Sequence, residues 1–467
     1  MNASIHLETA ILFLFLVIVL WAQAERAGVP GYYSPNPRRQ IFALSIVFVL
    51  LSVGLGSILY KVSPLFGIAL AAGFTLSLIH PANALCFLVH MLFLRPWEIP
   101  TTNPLLLALP RLLVVACFVS WLLYQGESGK PTPRTLRVSL ILQGFSVWLF
   151  LTTFGAAGRA AVQLDWFNTF FKSVVVFALC LFFLEDERGV LEFKRTLVLS
   201  IFGLMILSFY RFFFAPPNAL SGGRLSSFGL SGNSNDLAAV VIIALPLALM
   251  PAFRSQTTAA RRLGGILFSG ISLAAIWYTQ SRGAMLALCA QVFALGALFR
   301  DRGRGLRMLF MAGVLGLGYV LVIKAIPRST DEMAQSQENR LTYWKAAVQM
   351  TLHNPILGVG FDQYVANYNS YGASRRDAGD VQTAHSSWFL AFAESGIPGG
   401  VLFIAFFLSV LATAWRNRRQ WPEQLYALLG YGVAMSFLSH TYEMYLYVLA
   451  GLIMASNSLK ERADCAF

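Results

Sequence analysis

The chain has 467 residues, of which 57% are hydrophobic and only 12% charged, with a mean hydropathy of +0.63. Soluble domains carry about 25% charged residues, so this composition excludes a soluble globular protein and demands an integral membrane one. The formal net charge of +13 would suit a nucleic-acid partner, but in a membrane protein Lys and Arg collect in cytoplasmic loops. No nucleic-acid partner is expected.

The first apolar run, Ala10–Ala22, has no basic segment before it. It reads as a retained first span, a signal peptide being the other reading. Between residues 40 and 125 come four apolar segments, Ile41–Tyr60, Leu65–Ile79, Ala84–Leu94 and Leu105–Tyr124. Further pairs flank the turns at 155–166, 216–236 and 281–283. One segment leads into a long loop, 326–385, one leads out of it, and a last pair flanks His440–Glu443. The expected fold is all-α and polytopic, with about 12–15 transmembrane helices and one large periplasmic loop carrying short helices. Residues 1–200 are expected to form N-terminal transmembrane helices, 201–458 a transmembrane core that includes the loop, and 459–467 a cytoplasmic tail. The five cysteines lie in apolar runs or the extreme tail, which gives neither a disulfide framework nor a metal cluster.

Seven basic clusters hold 21 of the 35 Lys and Arg residues. They recur after even numbers of apolar segments, as cytoplasmic loops require. The remaining polar segments then face one outer compartment together: Gly222–Asp236, Gln280–Ala284, the 326–385 loop and Ser439–Glu443. A site built from them works outside the cytoplasm.

Arg282, in "AAIWYTQSRGAMLALCAQV", has two readings. Either the chain turns there and the arginine snorkels at the interface, or Ser281 and Gly283 let a phosphate reach the backbone beside it. Arg224 opens a Gly/Ser/Asn-rich turn that leads straight into an apolar span. Guanidinium and helix N-terminus together suit a phosphate or pyrophosphate. In the long loop, Leu341, Trp344, Ala347, Val348 and Leu352 follow helical spacing. Asn339 is expected to cap that helix, Asn354–Pro355 to stop it, and its apolar face to lie in the membrane interface. Arg340 projects from its first turn, as a phosphate ligand or as a solvated charge. Arg375 and Arg376 read as surface charge.

In "AHSSWFLAFAESGIPGG", Ser386 or Ser387 suits the N-cap of a helix to about Ser395. Gly396 suits its C′ position and Pro398 the start of the next helix. His385 therefore stands just before a helix N-terminus, whose positive end disfavours a protonated imidazole. The histidine can accept a proton there, or simply satisfy a neighbouring carbonyl. Glu394 lies two and a half turns on and is expected to pack or anchor a loop, not to orient His385.

Together, "SRGAMLAL", "NRLTYWKAAVQMTLHNPILGVGFDQY" and His385, with Gly396 eleven positions later and Gly399 three beyond, resemble the O-antigen ligase and polymerase superfamily. The similarity covers roughly residues 220–415. It implies a bacterial inner-membrane glycosyltransferase, with no metal or cofactor, working at the periplasmic face. The donor would be an undecaprenyl-diphosphate-linked glycan, and the acceptor a hydroxyl of a glycan, of lipid A-core or of a protein, with membrane lipid all round. His385 would act on the acceptor hydroxyl, Arg282, Arg224 and Arg340 would hold the diphosphate, and Ser386, Gly396 and Glu394 would support the site. Ser386 departs from the asparagine found there in many members. The competing reading is a transporter for an anion or a lipid-linked glycan, which would show paired broken helices and ionisable residues near mid-membrane.

Overall fold

Among the described residues, six α-helices begin on proline. The first helical position needs no N–H partner, and proline's fixed φ already suits a helix. The computed structural model describes residues 37–58, 64–98, 104–123, 132–155, 164, 166–214, 223–226, 233–254, 257–298, 313, 330–371 and 383–465. Within them lie fifteen α-helices: α1 Pro37–Ile58, α2 Pro64–Ser77, α3 Pro81–Leu94, α4 Pro104–Leu123, α5 Pro133–Thr152, α6 Lys172–Phe183, α7 Glu187–Phe214, α8 Ser234–Ala252, α9 Ala259–Thr279, α10 Arg282–Leu298, α11 Thr330–His353, α12 Tyr364–Tyr371, α13 Ser387–Arg416, α14 Pro422–Met435 and α15 Met444–Cys465. A short π-helical stretch, Trp166–Phe171, leads into α6.

Five of these segments are long and apolar enough to cross a membrane: Pro133–Gly155, Glu187–Phe214, Ser234–Ala252, Ala259–Thr279 and Ser387–Arg416. Six shorter apolar helices accompany them. The chain is an all-α polytopic membrane protein, because in hydrocarbon a helix satisfies its backbone groups within itself. The expected first span, Ala10–Ala22, the basic cluster Arg300–Arg307, and Arg375 and Arg376 lie outside the described residues.

The chain divides into two compact units: Met1–Lys130, Leu179–Leu237 and Leu247–Gln280 in the first; Pro131–Ala178, Ala238–Pro246 and Ser281–Phe467 in the second. In the first, α3 packs against α2, α4 and α7, and α9 against α7. The buried imidazole of His90 on α3 meets the Ser200 hydroxyl of α7 at 2.9 Å, so neither polar group is left alone in an apolar interior.

In the second unit α13 is the hub, with α5, α11, α14 and α15 packed on it. Phe145, Phe170, Phe403, Phe406 and Tyr447 form a buried aromatic cluster, with ring centroids 5.4–5.7 Å apart. These mutual edge and tilted contacts add to what their buried area contributes. On the outward side of α5, Leu136, Leu140, Val147 and Leu151 are 46–59% exposed, a stripe suited to lipid.

The helix α13 is broken. Gly396 has φ 66 and ψ −172 inside an otherwise helical run, and Pro398 two residues on has no N–H to give. The break strands carbonyls, and each finds a donor. Val359 N–H donates to the Ala393 carbonyl at 2.9 Å and Gly360 N–H to that of Glu394 at 3.1 Å. The Trp148 indole of α5 donates to the Ser395 carbonyl at 2.8 Å. Ile397 N–H turns outward to the Pro355 carbonyl at 2.8 Å. The turn 355–360 is thus docked on the break by three backbone hydrogen bonds.

One expectation is corrected. Helix α11 starts at Thr330, so Asn339 lies inside it and caps nothing; the preceding residues Gln335, Gln337 and Glu338 are good helix formers and let the helix continue. Its apolar stripe also divides. Ala346, Ala347 and Met350 are buried, whereas Leu341, Val348 and Leu352 are 41–67% exposed, because α11 packs on α13 through its small residues.

Candidate functional site

In the first unit, Arg224 lies in the 223–226 segment, which runs beside the end of α9: Leu225 N–H donates to the Tyr278 carbonyl at 2.9 Å. The Arg224 Nε donates to the Thr279 carbonyl at 2.8 Å and its Nη2 to Asn235 Oδ1 at 3.1 Å. Asn233 caps α8, its Oδ1 accepting from the N–H groups of Asn235 and Asp236 at 2.8 and 3.0 Å. A guanidinium therefore sits at the first turn of a helix, where both charges favour an anion.

The other site residues belong to the second unit. The chain turns sharply before α10, with Gln280 at φ 51, so Arg282 is the first residue of α10 and not the centre of a span. Ser281 is buried, and its Oγ accepts from Ala284 N–H at 3.4 Å. The bare face of Gly283 is taken by Phe437: a Cβ there would lie 3.2 Å from the Phe437 Cβ. The expectation that Gly283 opens the backbone to a phosphate is corrected; its lack of a side chain admits a neighbouring aromatic ring.

Arg340, half-buried on α11, places its guanidinium 5.9 Å from the centroid of the same Phe437 ring. Burial lowers its pKa, and the charge of Arg282 lowers it further. The charge of Arg282 thus bears on the Arg340 guanidinium, which lies beside the Phe437 ring. Among the described residues neither has a carboxylate within ion-pair distance. Like charges brought together without a counter-ion cost free energy, which an anion between them would recover.

Three residues beyond Arg340, one turn along the same helix face, Tyr343 lays its ring against the His385 imidazole, with centroids 5.7 Å apart. His385 adopts a left-handed backbone, φ 49, uncommon for a residue with a side chain. The Ser439 hydroxyl holds it there, accepting from His385 N–H at 2.9 Å and from the Thr383 hydroxyl at 2.7 Å. Arg340 and His385 are therefore gathered on one short turn, 437–440, between α14 and α15, and Gly283, next to Arg282, packs on the same turn. The ring of Phe437 takes Arg340 and the hydroxyl of Ser439 takes the backbone of His385.

The serines divide the work differently from expectation. Ser386 occupies the N-cap position of α13, buried, but its hydroxyl makes no capping bond. Ser387 instead donates to the Leu438 carbonyl at 2.7 Å and accepts from His440 N–H at 2.8 Å, so it fixes the turn. His440 is buried, its Nδ1 2.9 Å from the Tyr431 hydroxyl. Glu394 is 3% exposed and lies below the break of α13, where its Oε1 accepts from Tyr364 N–H at 3.0 Å. Its Oε2 faces the Tyr442 hydroxyl outside hydrogen-bonding geometry. Burial and that carboxylate together push the Tyr442 phenol well above its ordinary range. Gly396 belongs to the break.

Tyr343, Phe437 and Ser439 were not singled out from the sequence. Ser439 lay within an outer polar segment, and Tyr343 was signalled only by its three-residue spacing from Arg340. Nothing local marked Phe437.

Residues 267–404 match the family model described as O-antigen ligase. The matched segment runs from within α9 into α13 and contains Arg282, Arg340, His385, Glu394 and Gly396. No curated protein matches the chain.

Proposed function

We propose that the protein, whose residues 267–404 match the O-antigen ligase family model, transfers glycan from undecaprenyl diphosphate to an acceptor hydroxyl. The transfer takes place at the periplasmic face of the bacterial inner membrane. The acceptor oxygen attacks the anomeric carbon while the bond from that carbon to the diphosphate oxygen breaks. His385 takes the hydroxyl proton. The diphosphate leaves with its electron pair, and Arg282 and Arg340 stabilise the charge it gains. The periplasmic side follows from the basic clusters, which alternate with the polar segments that carry these residues.

The observation that carries this reading is that Arg340, beside the charge of Arg282 and with no carboxylate partner among the described residues, shares the 437–440 turn with His385. One fixed turn then sets the distance between proton acceptor and leaving-group site, as positioning demands.

The test is the lipid-linked glycan of cells that lack the protein, complemented with wild type or with His385→Ala. Accumulated single repeat units on the lipid identify a polymerase. Accumulated long polymer, missing from its acceptor, identifies a ligase. With His385→Ala present in the membrane at wild-type level, transfer should fall at least about a hundredfold, the scale of general base catalysis. Full transfer by that variant would refute the base assignment.

A further inference from the structure

A cavity with an apolar wall and a charged rim lies at the other end of α13. That broken helix runs thirty residues from Ser387, beside His385, to Arg416. At its far end, with the start of α5 and the end of α15, it encloses a cavity of about 900 Å³. All three elements belong to the second unit.

The rim carries Arg134 and Arg137 from α5, Arg416 from α13 and Arg462 from α15, against Glu461 and Asp464. Four guanidiniums face two carboxylates, so the rim keeps an excess of positive charge. Arg134 is fixed by its Nε, which donates to Thr413 Oγ1 of α13 at 3.1 Å. The wall below the rim is apolar, made by Val138 and Ile141 on one side and Ala405, Leu408 and Ala412 on the other. It opens toward the stripe of exposed apolar residues on α5, where Leu140 is 55% exposed, and toward Leu408, 53% exposed.

We propose that this cavity seats an anionic glycerophospholipid, its phosphate on the guanidiniums of Arg137 and Arg416 and an acyl chain along the Ile141–Leu408 wall. Arginine's planar fork matches phosphate oxygens in pairs. A free phosphate would use the rim and leave the apolar wall wet; a zwitterionic lipid would use the wall and leave the excess charge unmatched. Only an anionic lipid satisfies both. Basic pockets between membrane helices characteristically take such headgroups. The leaflet concerned is the cytoplasmic one if the orientation given under the proposed function holds; the lipid class does not depend on it.

Arg137 and Arg416 are both exposed, so replacing them leaves the core untouched. The full-length protein, purified in detergent, is offered equimolar phosphatidylglycerol and phosphatidylcholine, and the retained lipid is read by native mass spectrometry. Wild type should prefer phosphatidylglycerol at least about fivefold, in line with a basic site near a membrane surface. R137Q/R416Q should fall to near parity, and Arg418→Gln, a neighbouring arginine outside the cavity, should keep the wild-type preference. Parity in the wild type overturns the proposal, as does an unchanged preference in R137Q/R416Q. An equal loss in Arg418→Gln would mean general surface charge, and displacement by inorganic phosphate alone would mean a free-anion site. Either overturns it. Because no glycan enters the assay, its failure is separate from any failure of the transfer reading.

Discussion

Gly396 lies directly against the peptide carbonyl of Ile356, with no space for a side chain between them. Its positive φ adds a second demand for glycine, since a Cβ is strained in that region. The contact locks the 355–360 turn onto the break in α13, and so fixes how α11 leads into the residues that follow it. Gly396→Ala should therefore lower stability by about 2 kcal/mol or more, read as a reduced melting temperature in detergent. Gly270→Ala, mid-helix in α9 with nothing within 4 Å of the added methyl, should be neutral or slightly stabilising. Equal melting of the two variants would show that the turn is not held by this contact.

Arg282 and Arg340 repel one another when no anion is present. Arg282→Gln should thus raise the melting temperature of the unliganded protein while weakening its hold on undecaprenyl diphosphate about tenfold or more, the worth of a charge-assisted hydrogen bond. Arg340→Lys should recover only part of what Arg340→Gln loses, since a lysine cannot present a paired fork. A melting temperature that falls with Arg282→Gln would mean that its charge has a structural partner.

The Tyr343 ring rests against His385 and limits how the imidazole can turn. Tyr343→Leu should cut the rate of transfer about tenfold, on the scale of misplacing a reacting group, with little change in KM. Tyr343→Phe, which keeps the ring, should stay within about twofold of wild type. If both variants behave alike, the ring is not what positions the histidine.

Burial raises the pKa of Tyr364 above its ordinary 10.0, and its hydroxyl donates to the Tyr343 carbonyl at 2.7 Å. The folded state therefore keeps this proton after the unfolded chain has released its own. The stability it contributes is complete below about pH 10 and is lost as pH rises above that value, by about 1.4 kcal/mol per pH unit. Melting between pH 9 and pH 11 should fall more steeply in wild type than in Tyr364→Phe. Parallel curves would show that the phenol is ionised, or solvated, in the folded protein.

Much of this architecture is legible along the chain. Apolar segments at Leu65–Ile79 and Leu105–Tyr124 end within two residues of the helices Pro64–Ser77 and Pro104–Leu123, because a membrane segment must be both long and apolar over its own length. The break at Gly396 and Pro398 is equally local: one residue favours positive φ and the other lacks an N–H. Helix starts without such a signal were misjudged, as at Asn339, where good helix formers on its N-terminal side carry α11 back to Thr330.

What the sequence by itself determined is therefore the membrane class, most helix bounds and the residue types able to bind an anion and take a proton. Only the tertiary structure decided that Arg340 and His385 share the 437–440 turn, that Gly283 makes room for Phe437, and that Glu394 holds Tyr364. Each of these relations joins residues 30 to 154 positions apart. Helical periodicity reports on neighbours three or four residues away, whereas contacts at such separations are set by how the helices pack.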